Sequence, residues 1–134
     1  MRRCPEISVL MGIYDRSEDI SVLRRSVESI LHQTFSDFEF LICDDGSSTQ
    51  VQAYLDGVVK QDSRVRLIRP EGAFLLPIKL NRCLEKAHGK YIARMDGDDF
   101  SHPDRFQKQM NYLSGYSQIS FVGCNVNLIQ NGKA

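Results

Sequence analysis

The sequence has no tryptophan, no long apolar run and no excess of charge of either sign. Lysine plus arginine and aspartate plus glutamate both number 17, so no net basic field favours nucleic acid and no polybasic segment favours an anionic membrane. No apolar run approaches the roughly 20 residues that cross a bilayer, and the start lacks the apolar segment of a secretion signal. We therefore expect a cytoplasmic protein with no membrane segment in this chain and no nucleic acid partner.

The four cysteines are widely spaced, and no two of them form a C-x-x-C pair. This spacing argues against a zinc site and against a thioredoxin-type motif. Cys43, Cys83 and Cys124 lie in apolar segments, where we expect them to be buried free thiols. The 134 residues, with 42% hydrophobic and 25% charged side chains, fit a single globular domain that spans residues 1–134.

Segments with strand character alternate with segments of helical periodicity along the chain. Strands are predicted at residues 6–14, 38–43, 64–69, 90–95 and 119–126, with a helix in each interval, which gives the order β-α-β-α-β-α-β-α-β. Such alternation implies right-handed crossovers and a Rossmann-like α/β fold, in which helices cover both faces of a mostly parallel central sheet. Asn131 and Gly132 are typical of a hairpin turn.

Three of the predicted strands end in residues suited to ligand binding, at positions 14–15, 44–45 and 96–99. In open parallel sheets, ligands gather beyond the carboxyl ends of the strands, so we expect these residues on one rim. Carboxylates at the spacing seen in residues 96–99 suit Mg²⁺ or Mn²⁺, which one or two of them hold while substrate phosphates fill other positions. Taken alone, such a short acidic motif is more often a solvated turn before a helix.

The chemistry of the three strand ends fits a nucleoside diphosphate. Tyr14 offers a flat ring for a nucleobase, and a buried aspartate at position 44 or 45 offers an acceptor for a ring N–H or a ribose hydroxyl. The alternative is structural, with Tyr14 covering the sheet edge and Asp44 or Asp45 capping a helix. Three basic residues are further candidates for phosphate contacts, although most such side chains are solvated: Arg69, Lys79 and Arg105.

Six segments, in order and at suitable spacing, resemble the successive signatures of the family-2 glycosyltransferases of the GT-A fold. They are residues 7–15, 29–35, 37–39, 44–47, 89–99 and 103–106. The resemblance covers nearly the whole chain, and six linked motifs are far more specific than a single Asp-x-Asp. It implies a site for a nucleotide-diphospho-sugar donor carrying UDP, GDP or dTDP, and inverting transfer of the sugar to an acceptor hydroxyl. The acceptor of the full-length protein would be a glycan or a lipid-linked molecule.

The resemblance also implies roles for individual residues. It assigns nucleotide binding to Gly12, Tyr14, Asp44, Asp45 and Asp96. Gly12 would let the nucleotide approach the backbone, Tyr14 would stack on the base, and Asp45 or Asp44 would hydrogen-bond to it. The metal, Mn²⁺ or Mg²⁺, is assigned first to Asp98, with Asp96 and Asp99 as further ligands.

The sequence departs from the family pattern in two places. Asp15 stands where relatives often carry asparagine, and residues 73–81 replace a small, glycine-bearing loop with bulky side chains, which leaves sugar and nucleotide selectivity open. The family's carboxylate general base lies in its acceptor-binding half, and no match for it precedes Ala134. We therefore expect no catalytic base in this chain, a domain truncated before the acceptor-binding half and inactive alone, and possible peripheral association of the full-length protein with the inner face of the membrane.

Three other functions fit the sequence less well. A nucleotidyltransferase would carry a glycine-rich, basic phosphate loop after the first strand, and residues 14–17 are not such a loop. A signalling receiver domain would carry its acidic pair at the end of the first strand, which here ends in Gly12, Ile13 and Tyr14. A non-catalytic nucleotide-binding module stays an alternative.

Overall fold

The fold is an alternation of four strands and four helices, seen in a computed structural model that describes residues 4–130. The elements are β1 (Ile7–Ile13), α1 (Ser21–Leu31), β2 (Phe38–Asp44), α2 (Thr49–Gln61), β3 (Val65–Ile68), α3 (Leu76–Glu85), β4 (Tyr91–Arg94) and α4 (Arg105–Gly115). The strands form one parallel sheet in the order β3-β2-β1-β4. The predicted α/β fold with a mostly parallel sheet is confirmed.

The two central strands are apolar on both faces because helices cover both faces. On one face, Val9 and Met11 of β1 pack in a single core with Leu23 and Val27 of α1, together with residues of α2 and α4 such as Phe106. On the other face, a smaller core joins β1, β2 and α3 through Leu10, Leu41, Cys43 and Cys83. One face thus carries α1, α2 and α4, and the other carries α3.

The register of the strands sets where the loops after them lie. Ile13, the last residue of β1, pairs with Asp44, the last residue of β2. Strand β4 ends three residues earlier in this register, with Arg94 opposite Leu10. All three strands run in the same direction, so the segments that follow them emerge at the same edge of the sheet. This edge is the rim predicted from the sequence.

The predicted fifth strand is wrong, because residues 119–126 are not a strand in the structure. A strand needs a neighbour for its backbone N–H and C=O groups, and within the described residues 4–130 no strand lies beside this segment. Phe121 and Val126 are accordingly 85% and 86% exposed. Cys124, expected in the core, is exposed for the same reason, while Cys43 and Cys83 are buried as predicted.

Two other expectations concern the ends of the chain and the membrane. The turn predicted at Asn131 and Gly132 lies outside the described residues. Between residues 4 and 130, no helix combines the length and the apolar character that crossing a bilayer requires.

Candidate functional site

The loops that follow β1 and β2 are tied to each other by backbone and hydroxyl hydrogen bonds. The Asp15 N–H donates to Ser47 Oγ over 2.9 Å, and the Ser48 N–H donates to the Asp15 carbonyl over 2.8 Å. Arg16 Nη1 donates to the Gly46 carbonyl over 3.0 Å. Gly46 has a φ of 123°, a left-handed conformation that favours glycine. These contacts hold the first two strand ends in one arrangement.

Asp44 and Asp45 point to opposite faces of the sheet, because side chains alternate along a strand. The buried Asp44 carboxylate turns into its own loop, where Oδ1 accepts from the N–H of Ser47 at 2.9 Å and of Gly46 at 3.3 Å. Its other oxygen, Oδ2, is buried without a hydrogen-bond partner and lies 3.8 Å from Arg69 Nε. Asp44 therefore shapes the turn and keeps one acceptor unused.

Asp45 forms a buried ion pair with Lys79 of α3. Lys79 Nζ lies 2.6 Å from Asp45 Oδ1 and donates to the Ile13 carbonyl over 2.9 Å, while the Phe74 N–H donates to Asp45 Oδ2 over 2.6 Å. The two charged side chains are 6% and 1% exposed. Burial alone would raise the pKa of Asp45, but the hydrogen bonds from Lys79 and Phe74 outweigh it and lower that pKa below its ordinary value.

Tyr14 lies above this ion pair with its ring open to solvent. Tyr14 is 58% exposed, and the centroid of its ring is 5.6 Å from Lys79 Nζ. We call Tyr14, Asp45, Phe74 and Lys79 the Tyr14 corner. It brings together an exposed aromatic ring, a buried carboxylate and a buried ammonium at the end of β1.

Gly12 is packed against α3 on the side where a side chain would project. A Cβ there would lie 2.8 Å from Leu76 Cδ1 and 2.9 Å from Lys79 Cβ. The sequence assigned Gly12 to close approach of a nucleotide, yet this side of its backbone is filled by α3. Glycine is required here for helix-to-strand packing, and a nucleotide contact at Gly12 stays a prediction.

The acidic loop, residues 96–99, follows β4 and contacts α1 and β1. Ser26 Oγ of α1 donates to the Asp96 carbonyl over 2.8 Å, and a Cβ on Gly97 would lie 3.0 Å from Ile13 Cγ2. The Asp96 carboxylate is paired with Arg94, whose Nη2 lies 3.0 Å from Oδ1. The loop is thus held beside the end of β1, as the rim requires.

Asp98 and Asp99 are exposed, and neither carboxylate has a cationic or hydrogen-bonding partner among the residues described. The structure does not gather all three predicted metal ligands: within residues 4–130, no three acidic, histidine or cysteine side chains are grouped as a ready-made metal cage. Asp96 is engaged by Arg94, which leaves the other two carboxylates for a cation.

Hydrogen bonds from α1 and from the turn after it hold the segment that follows the acidic loop. Ser29 Oγ accepts from the Ser101 N–H at 2.9 Å, and Gln33 Nε2 donates to the His102 carbonyl over 2.7 Å. Gln33 Oε1 accepts from the Phe106 N–H at 3.1 Å, at the start of α4. Ser29 of α1 and Gln33, two residues after the end of α1, therefore fix the path of the chain between the acidic loop and α4.

The three basic residues proposed for phosphate contacts are all engaged or covered. Lys79 belongs to the buried ion pair, and Arg69 Nη1 lies 2.7 Å from Asp56 Oδ1. Arg105 is packed against Met95, with Nε and Nη2 buried and unpaired, and burial lowers its pKa. Sequence reasoning placed Lys79 near the rim but missed its partner. No sequence signal identified the pair, because the helical spacing predicts burial at Leu80, Cys83 and Leu84 and not at Lys79.

The fold and the rim define an α/β domain of the GT-A type, and comparisons with known proteins place it more closely. The model of Glycosyl transferase family 2 matches residues 8–132, and the chain belongs to this family. EpsE of Bacillus subtilis is 37% identical over 124 residues, which cover 92% of this chain and 44% of that protein. The O-antigen biosynthesis glycosyltransferase WbnJ of Escherichia coli is 37% identical over 131 residues, covering 95% and 49%.

Solved structures support the fold. Staphylococcus aureus TarS 1-349 in complex with UDP superposes with a TM-score of 0.73 at 19% identity, over 84% of this chain and 33% of that one. A mannosyltransferase from Pyrobaculum calidifontis, in complex with GDP-Man and Mn²⁺, gives a TM-score of 0.71 at 15% identity, over 84% and 33%. The chain spans less than half the length of the relatives it matches.

Proposed function

We propose that this domain binds the nucleotide-diphospho-sugar donor of a glycosyltransferase, with a divalent metal at the acidic loop. One observation carries the proposal: two carboxylates without a partner among residues 4–130, Asp98 and Asp99, follow β4 on the rim where the exposed Tyr14 follows β1. The donor's base would lie at the Tyr14 corner and its diphosphate at the acidic loop.

The donor set of the acidic loop suits Mn²⁺ or Mg²⁺. Both ions prefer hard oxygen ligands and are commonly held by one or two carboxylates, with phosphate oxygens and water completing the shell. Two exposed carboxylates without competing cations satisfy this requirement, and we assign the metal to Asp98, with Asp99 as a second ligand. When bound, the metal supplies charge neutralisation to the departing nucleoside diphosphate. The Mn²⁺ complex of the mannosyltransferase is consistent with this assignment.

Asp96 has a different role in this proposal. Its carboxylate is 39% exposed and paired with Arg94, so it keeps acceptor capacity on the groove side of the rim. We assign it to a hydroxyl of the ribose or of the sugar, as a hydrogen-bond acceptor. Arg94 fixes the orientation of the carboxylate for that contact.

The base would stack on Tyr14, whose ring has a free face in solvent. Asp45 shares the α3 face with Tyr14, and we assign it as the residue that reads the base, while Asp44 holds the loop through its contacts with Gly46 and Ser47. Both oxygens of Asp45 are engaged by Lys79 and the Phe74 N–H, so a base N–H must replace the Phe74 contact or use a remaining lone pair. TarS with UDP and the mannosyltransferase with GDP-Man carry bases that present such an N–H.

We further propose that transfer to the acceptor hydroxyl inverts the anomeric centre. Inversion requires a general base within hydrogen-bond reach of the attacking hydroxyl, on the side opposite the leaving diphosphate. The relatives are more than twice as long as the matched segment, which supports a base supplied by sequence outside this chain. A glycan or lipid-linked acceptor and a cytoplasmic location belong to the same proposal.

Calorimetric titration of UDP, GDP and dTDP in the presence of Mn²⁺ tests donor binding. We expect at least one nucleotide to bind, and Tyr14→Ala to weaken it roughly fivefold to a hundredfold, the range of a base–aromatic stack. Tyr116→Ala is the matched control, because Tyr116 is 48% exposed and lies on the far end of α4. A folded protein that binds none of the three nucleotides at millimolar concentration would refute the proposal.

A further inference from the structure

A groove with a volume of about 1650 Å³ begins at the acidic loop and runs along α1 and α4. Its walls are formed by some of the residues in the ranges 19–32, 94–112 and 122–129. These include the acidic residues Asp96, Asp98 and Asp99. It contains no residue of the Tyr14 corner. The groove is therefore continuous with the proposed metal site but separate from the proposed base site.

Phe100, the residue after Asp99, presents an aromatic ring to this groove. The side chain is 44% exposed, and the guanidinium carbon of Arg25 lies 3.7 Å from the ring centroid. At this distance the guanidinium is stacked on one face of the ring. The stacked Arg25 and the fixed backbone on both sides, at Asp96 and Ser101, hold the ring in place at the mouth of the groove.

We infer that Phe100, backed by Arg25, is a stacking platform for a pyranose ring of the acceptor. The C–H groups on the face of a pyranose are apolar and carry partial positive charge, so they pack on the electron-rich face of an aromatic ring. The hydroxyl groups at the edge of the sugar need polar partners, and Glu28, His32 and His102 line the same groove. A groove wall that combines an aromatic ring with carboxylate and imidazole groups matches a carbohydrate better than an apolar ligand.

The inference rests on the proposed function, since it places the acceptor next to the donor's diphosphate. Phe100 is adjacent in sequence to Asp99 and lines the same groove as Asp98, so a sugar stacked on it has its hydroxyl groups near the metal site. Phe100 would thus be a specificity-determining residue of the acceptor side.

Saturation-transfer difference NMR tests the platform, with methyl β-D-glucopyranoside, methyl α-D-mannopyranoside and methyl N-acetyl-β-D-glucosaminide as probes at millimolar concentration. The protein is first loaded with the diamagnetic ion Mg²⁺ and the best-bound nucleotide, so that ligand signals near the metal site are not broadened. We expect at least one glycoside to receive saturation on the protons of one ring face. Phe100→Ala should weaken that glycoside roughly three- to tenfold, the range of one aromatic stack, while Phe100→Tyr retains it.

Phe121→Ala is the matched control, because Phe121 is 85% exposed and is not part of the groove wall. Its signals should equal those of the unmodified protein. Thermal unfolding and nucleotide affinity of Phe100→Ala should also be unchanged, which separates acceptor contact from folding and from donor binding. Nucleotide binding without any glycoside signal, or a glycoside signal that Phe100→Ala leaves intact, would overturn the platform alone. Failure of the unmodified protein to bind any nucleotide would instead overturn the proposed function.

Discussion

Breaking the buried ion pair between Lys79 and Asp45 is expected to cost the domain a large part of its stability. Replacing one partner leaves the other charge buried, since the two side chains are 6% and 1% exposed. Asp45→Asn preserves an acceptor for the Phe74 N–H but removes the countercharge of Lys79. Lys79→Met preserves the aliphatic stem and removes the countercharge of Asp45. The two single variants and the double variant form a thermodynamic cycle.

The magnitude follows from the geometry. Two unit charges at the 2.6 Å that separates Nζ from Oδ1 attract by about 6 kcal/mol at an effective dielectric constant of 20. Desolvation of each ion offsets several kcal/mol of this attraction, so the net worth of the pair is small, whereas breaking it costs about 3–5 kcal/mol. We expect each single variant to lose about that much and the double variant to lose less than the sum of the two.

The assay is urea unfolding followed by circular dichroism, repeated across pH. The pKa of Asp45 is lowered in the folded state, so its stabilisation is present above the unfolded pKa, about 4. That stabilisation is lost as the pH falls through the lower, folded pKa. The unmodified protein should therefore lose more stability than Asp45→Asn between neutral pH and acid. Single variants that each cost under about 1 kcal/mol, with parallel pH profiles, would refute the buried ion pair.

Three further predictions follow from glycine packing and from thiol burial. Gly89→Ala should cost about 3 kcal/mol or more, because the new Cβ would overlap the backbone nitrogen of Ser8. Gly57→Ala should instead stabilise the protein by about 1 kcal/mol, because Gly57 lies within α2 and no atom lies within 4 Å of the added Cβ. Urea unfolding measures the effect of both glycine substitutions, and equal effects would contradict the packing. Ellman's reagent should label Cys124 in the native protein and spare Cys83, whose burial raises the pKa of the thiol to about 12; rapid labelling of Cys83 would contradict its burial.

The sequence was sufficient to predict the parallel sheet because periodicity and strand ends carry that information. The apolar runs of β1 and β2 have no polar alternation, which is typical of strands covered on both faces, and both are central in the sheet. The alternating pattern of residues 64–69 predicted a strand near an edge, and β3 is an edge strand. Parallel strands with their ends at one edge then placed Tyr14 and the acidic loop on the same rim.

The predicted strand at residues 119–126 failed because local pattern is not sufficient for a strand. The segment has the apolar composition of a strand, but pairing depends on a neighbour, and among the residues described none is adjacent. The same dependence on distant residues explains the error over Cys124. Its apolar neighbours in sequence are not buried either: Val122 is half-buried and Val126 is exposed. The described residues therefore form no core around Cys124.

The partnership of Lys79 and Asp45 depends on how α3 is rotated about its axis. The spacing of Leu80, Cys83, Leu84 and Ala87 predicts their burial, yet Leu84 is 49% exposed and Lys79 is 5% exposed. The buried face includes Lys79 because Gly12 lets α3 approach β1 closely, and only the assembled structure sets that distance. The spacing of apolar residues along the helix does not distinguish the face that contains Leu84 from the adjacent face that contains Lys79.

The central claim is that the acidic loop holds the metal that binds the nucleotide diphosphate, and one calorimetric measurement tests it directly. UDP, or whichever of GDP and dTDP binds best, is titrated with and without Mn²⁺ into the unmodified protein, Asp98→Asn and the control Asp56→Asn, whose carboxylate pairs with Arg69 on the surface. We predict that Mn²⁺ tightens nucleotide binding by about tenfold or more, equivalent to about 1.4 kcal/mol, in the unmodified protein and in Asp56→Asn. Asp98→Asn should fold normally and lose this enhancement. Equal enhancement in Asp98→Asn would contradict the assignment of the metal to that carboxylate.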